Sequence, residues 1–125
     1  MNAAVTRRWS IAKGDQREAE RARHEFCADL TGSVAELFDA ELIFGELVAN
    51  AVKCARTSVS VELVIHRNAT LRVIDDGDCF DLKAIGPKPY YAIGGRGLYI
   101  VRSLARRLTV NLSDDKCEVT AVLRL

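Results

Sequence analysis

The chain carries almost no net charge, with 18 Lys and Arg against 17 Asp and Glu and a formal balance of +1. It therefore lacks the basic field that draws a protein onto nucleic acid, and neither DNA nor RNA is expected as a partner. The one local basic cluster, Arg102, Arg106 and Arg107, reads as the wet side of a helix. No apolar run reaches the length of a membrane span, and Met1 to Ile11 lacks the apolar block of a signal peptide. A cytoplasmic protein without membrane contact is expected. Cys27, Cys54, Cys79 and Cys117 are far apart and form no CxxC pair, and only His24 and His66 stand by to assist. A zinc site and a disulfide framework are both poorly supported, and the four read as small buried hydrophobes. A GxxxxGK[ST] run is missing, and Gly95-x-Gly97 lacks the third glycine of a dinucleotide fingerprint, which argues against P-loop and Rossmann sites. Repeats, linkers and low-complexity tracts are absent as well.

What is present suits one domain over residues 1–125, long enough to bury a real core and too short for a second. Residues 5 to 11 alternate as an opening strand. Asp15 is placed to cap a helix running to about Leu30, with Ala19, Ala22, Phe26 and Leu30 as its apolar stripe. Thr31-Gly32-Ser33 breaks the pattern, and a second helix is predicted over roughly 34 to 54. Val59, Val61, Leu63 and Ile65, then Leu71 and Val73, and finally Val119, Ala121, Leu123 and Leu125 alternate with period two. The short connection Arg67 to Thr70 makes the first two of these a hairpin. A loop over about 81 to 94, a helix from about Gly97 to Arg106, a strand near 107 to 112 and a turn at Ser113-Asp114-Asp115 complete the chain. The economical architecture is α+β in two layers, a mainly antiparallel mixed sheet with helices on one face.

Three places hold polar groups or glycines that need a reason. The helix over 40 to 54 is almost wholly apolar, yet Asp39, Glu46, Asn50 and Lys53 are spaced by seven, four and three and fall along one line. That line faces either water, as a narrow stripe carrying a Glu46 to Asn50 pair, or a ligand. In the second case Asn50 offers a neutral oxygen to Mg²⁺ and Glu46 serves as a base beside it. Strict alternation after Leu71 and Val73 sends Asp75 to the packed face, where it either caps the turn at Asp76-Gly77 or accepts from a donor such as the exocyclic amine of adenine. Gly94-Gly95-Arg96-Gly97 runs into Leu98-Tyr99-Ile100-Val101, which is either a tight connection or an anion cradle at a helix start.

Taken in order, Glu46-Leu47-Val48-Ala49-Asn50-Ala51, Asp75-Asp76-Gly77 and Gly95-Arg96-Gly97-Leu98-Tyr99-Ile100-Val101 resemble the N, G1 and G2 boxes of the GHKL ATPases. The likeness runs from about residue 15 to the end and is greatest to the small ATP-binding domains of bacterial anti-sigma-factor serine kinases. It implies a Bergerat α/β sandwich with ATP and Mg²⁺ as cofactors. It also implies Glu46 as general base, Asn50 as metal ligand, Lys53 reaching the phosphates, Asp75 on the adenine amine and Gly77 close beneath the base. Gly95 and Gly97 would close over the triphosphate, with Leu98 packed at the helix start and residues 81–94 as a short ATP lid. The activity implied is transfer of the γ-phosphoryl group to a serine on a small antagonist protein. Its partners would be a sigma factor or that antagonist, and a homodimer is admitted. The alternative is a nucleotide-sensing switch without turnover, because the DxGxG pattern here reads Asp75-Asp76-Gly77-Asp78-Cys79, with Cys79 where the second glycine belongs. A histidine-kinase catalytic domain acting in trans is disfavoured, since no dimerisation helix or phosphoacceptor segment is evident.

Overall fold

The computed structural model of the protein describes residues 5–32, 37–77, 95–113 and 115–124. Strand β1 (Val5–Ala12) is followed by α1 (Gln16–Leu30), α2 (Leu37–Cys54), β2 (Ser58–Ile65), β3 (Ala69–Asp75), α3 (Gly95–Leu104), β4 (Arg107–Ser113) and β5 (Lys116–Leu123). The sheet order is β1-β2-β3-β5-β4. Every pairing among the described strands is antiparallel, so the expected mixed sheet becomes a purely antiparallel one. The last strand, by inserting between β3 and β4, places the end of β3 beside the start of β5.

Local chemistry explains the elements. Asp15 caps α1 by accepting from the Glu18 amide at 3.0 Å, which satisfies one of the free donors of the first turn. The apolar stripe then buries Ala22, Phe26 and Leu30, with Ala19 packed against the core. The hairpin of β2 and β3 pairs Val61 with Val73 and Leu63 with Leu71 on the packed face. Trp9, Phe26 and Phe44 meet there, with Phe26 and Phe44 ring centres 4.5 Å apart, and lock β1, α1 and α2 together. Arg7 adds a bidentate pair to Asp29, and the Trp9 indole donates to Glu25 at 2.9 Å.

The opposite face of the sheet is polar, as the alternation requires. Across four strands of it runs a row of charges: Glu62 accepts from Arg8 and Arg72, each at 3.0 Å, and Arg72 also reaches Glu118 at 2.6 Å. Glu62 is only 8% exposed, yet both of its oxygens are matched by guanidinium donors, which is how a carboxylate tolerates that burial.

The cysteines correct the sequence expectation. Cys54 is exposed and Cys27 only half-buried, both as free thiols, while Cys117 is buried and disulfide-bonded. Cys27 donates to Glu41 at 3.3 Å, and burial, reinforced by that carboxylate, pushes its thiol up to about 11.

Candidate functional site

Helix α2 turns Ala40, Ile43, Phe44, Leu47, Val48, Ala51 and Val52 into the core. That burial leaves Glu46 and Asn50 half-buried and Lys53 exposed, so the polar line foreseen from spacing is present. The Glu46 to Asn50 pair of the solvent-stripe reading does not form. Among the described residues, Glu46, Asn50 and Lys53 have no hydrogen-bond or ion-pair partner, so a half-buried amide oxygen and carboxylate remain available to something else.

Helix α1 covers one flank of α2: a cavity of about 80 Å³ between them is lined by Gln16, Glu20 and Arg23 on one side and by Gly45, Val48 and Ala49 on the other. On the other flank, Asp39, Ala40 and Ile43 meet Leu104 of α3 and Leu123 of β5. Asn50 lies seven residues after Ile43 and therefore on this second flank, two turns nearer the end of α2. Helix α3 packs against α2 with its last turn near Asp39.

The end of α2 adjoins the end of β3. A Cβ on Gly77 would stand 2.1 Å from the Cys54 carbonyl oxygen and 2.8 Å from its carbon, so no side chain fits there. Glycine is required at this position by close approach to protein backbone, without any ligand. Asn50 precedes Cys54 by one turn on the same face, about 6 Å along the axis. The contact that demands glycine brings the end of α2 up to the Asp75 turn.

Asp75 points inward, as alternation predicted, and is 8% exposed. Its Oδ1 accepts from the Gly77 amide at 2.7 Å, so the turn-capping role is filled. That bond uses one oxygen, and Oδ2 has no hydrogen-bond partner among the described residues. Burial raises the pKa of this carboxyl, the Gly77 amide opposes the rise, and Asp76 adds to it. A buried carboxylate with one oxygen idle is an acceptor held ready for a donor that the described chain does not supply.

Asp76 was missed by the sequence reading. It turns away from Asp75 and accepts from the Arg56 amide at 2.7 Å, the Thr57 amide at 3.1 Å and the Thr57 hydroxyl. These bonds, the Thr57 hydroxyl first, hold its carboxyl at about 2. They also stitch the loop after α2 to the turn after β3, so Asp76 sets the spacing of the two walls. Its signal was faint, because the partners stand about twenty residues away.

Gly95 and Gly97 fall in the first turn of α3, one residue pair earlier than the expected start. The first amides of a helix have no partner within it and carry the positive end of its dipole. The side chain of Leu98, the loop 81–94 with Tyr90 and Tyr91, and Cys79 lie outside the described residues.

Residues 11–123 match the histidine kinase-like ATPase domain. The chain belongs to that family. Curated proteins provide no match. A five-stranded antiparallel sheet with helices on one face is the architecture of a histidine kinase-like ATPase domain. Membership places it with the GHKL-type ATPases, which supports ATP binding and kinase-like chemistry. Among the described residues no helix is long and apolar enough to cross a membrane. Nor does any cluster of three or more His, Cys, Asp or Glu form that could cage a metal. Mg²⁺ bound through a single protein oxygen plus nucleotide phosphates and waters fits that finding, and Asn50 has such an oxygen free.

Proposed function

We propose that this domain binds ATP with Mg²⁺ and transfers the γ-phosphoryl group to a serine or threonine of a small antagonist protein in the cytoplasm, as an anti-sigma-factor-type kinase. The observation that carries the nucleotide part is Asp75: buried, capped through one oxygen, with the other oxygen open beside the wall formed by α2. Adenine presents an amine donor where guanine presents none, so Oδ2 selects the base. Asn50 would hold the metal, whose contribution is to neutralise phosphate charge. Lys53 would reach the phosphates, and the amides at Gly95 and Gly97 would receive them, with Leu98 seated behind. Glu46, one turn before Asn50, would take the proton of the attacking hydroxyl. The choice of a sigma factor or antagonist as partner rests on the resemblance alone.

Incubation with labelled ATP, Mg²⁺ and candidate antagonists tests this. The expected result is a phosphoserine or phosphothreonine that disappears in Glu46→Ala while ATP binding persists. Tight ATP binding with no transfer to any antagonist would instead support a nucleotide-sensing switch. Cys79 in place of a glycine favours that second reading.

A further inference from the structure

Spacing alone puts Arg102, Arg106 and Arg107 on the wet side of one helix, but α3 ends at Leu104. Arg106 and Arg107 leave the helix, and with Asn68 and Val122 they line a cavity of about 200 Å³ at the end of the sheet. We propose that this cavity is an anion site that takes a phosphoryl group. It is separate from the nucleotide site proposed above and does not rest on it.

The sheet register fixes its place. Ala121 and Leu123 are buried in the core, so alternation turns Val122 between them to the open face of the sheet. Arg107 stands directly opposite Val122 in the β4–β5 ladder and projects to the same face. The sheet therefore separates this cavity from α2. Asn68 lies in the turn before β3, and the strand from there to Asp75 is about 23 Å long. A nucleotide seated against Asp75 on the packed face cannot place its phosphates here.

The polar groups around the cavity are donors. Asn68 Oδ1 accepts from Arg106 Nη1 at 3.1 Å, which orients the amide and leaves its NH₂ group to donate. Arg107 has no hydrogen-bond or ion-pair partner among the described residues. Glu62 and Glu118, the carboxylates that the described strands present on this face, are engaged by Arg8 and Arg72. No acidic side chain among the described lining residues answers the two guanidinium charges. A single guanidinium fork already matches a planar carboxylate, whereas two forks and an amide suit a group with three acceptor oxygens and nearly two negative charges. The volume is below the roughly 300 Å³ at which pockets for whole small molecules begin, so a phosphoryl group on a short stem fits and a nucleotide does not. Inorganic phosphate and a phosphorylated side chain share that chemistry.

The test is a ¹⁵N NMR titration of the full chain at constant ionic strength and about pH 7.5, where the phosphoryl group is a dianion. Inorganic phosphate or a capped phosphoserine peptide should shift the Asn68 side-chain amide and the Arg106 and Arg107 Nε–H signals saturably, with a Kd below about 10 mM. Arg107 is exposed, so Arg107→Ala should fold and should weaken binding at least about tenfold, the loss expected of one charge-assisted contact. Arg67→Ala removes an equal charge from the same end of the sheet but not from the cavity wall, and should change the affinity by less than about threefold. Tighter binding of the peptide supports the site and assigns it to a phosphorylated side chain, while equal or weaker binding of the peptide supports the site and assigns it to the free ion. Failure of both ligands to saturate, equal losses in the two variants, or acetate binding as tightly as phosphate overturns the proposal.

Discussion

Replacing Asp75 by asparagine separates a turn cap from a base reader, because the two duties fall on different oxygens. Oδ1 accepts from Gly77, and an asparagine oxygen can keep that bond. Oδ2 becomes an amino group and would face the adenine amine donor to donor. Removing a hydrogen bond to a charged group is worth about 1.5 to 3 kcal/mol. At about 1.4 kcal/mol per decade, Asp75→Asn should weaken ATP binding by roughly ten- to a hundred-and-fifty-fold. Stability should move the other way or stay level. The folded-state pKa of Asp75 is raised by burial, so its ionised form is disfavoured in the fold at neutral pH, and a neutral side chain relieves that burden. By the same sign, ATP affinity in the wild type should decline on acidification at a higher pH than an ordinary aspartate would cause, and the variant should lack that step. Isothermal titration with ATP and GTP, paired with thermal unfolding at pH 7, reads both effects. An Asp75→Asn protein that melts normally and binds ATP within threefold of wild type would show that Asp75 only caps its turn.

Gly77→Ala should destabilise the fold by about 1 to 3 kcal/mol in urea unfolding, since the new methyl meets the Cys54 carbonyl oxygen and backbone must move. Wild-type stability in that variant would mean the two walls are not in contact. Asn50→Ala should abolish the Mg²⁺-dependent part of ATP affinity and leave metal-free binding unchanged, which titration with and without EDTA distinguishes. Asp76 has a depressed folded-state pKa, so its stabilisation is present above the ordinary aspartate range and is lost as pH falls through about 2. Melting curves from pH 5 to 2 should therefore show a decline that is shallower in Asp76→Asn. Glu62→Gln strips the charge that pairs Arg8 with Arg72 and should lower stability by about 1 to 3 kcal/mol in the same unfolding assay.

Much of this architecture was legible from local pattern, because period and capping act within one or two turns of chain. Asp15 announced the start of α1, alternation aimed Asp75 inward, and spacing alone drew Glu46, Asn50 and Lys53 onto one flank of α2. The two readings of Asp75 could not be told apart from residue order, since both require the same inward carboxylate. Only the geometry shows that capping engages one oxygen and leaves the other idle.

What tertiary structure alone decided involves partners distant along the chain. The insertion of β5 between β3 and β4, the grip of Asp76 on the loop at Arg56 and Thr57, and the press of Gly77 on the Cys54 carbonyl leave no periodic trace. The same holds for Cys117, read as one small hydrophobe among four until the sheet register set it opposite Asp75 and the folded chain put it in a disulfide. Sequence determines such contacts only through the fold, because their energy depends on which surfaces meet after the chain has closed long loops.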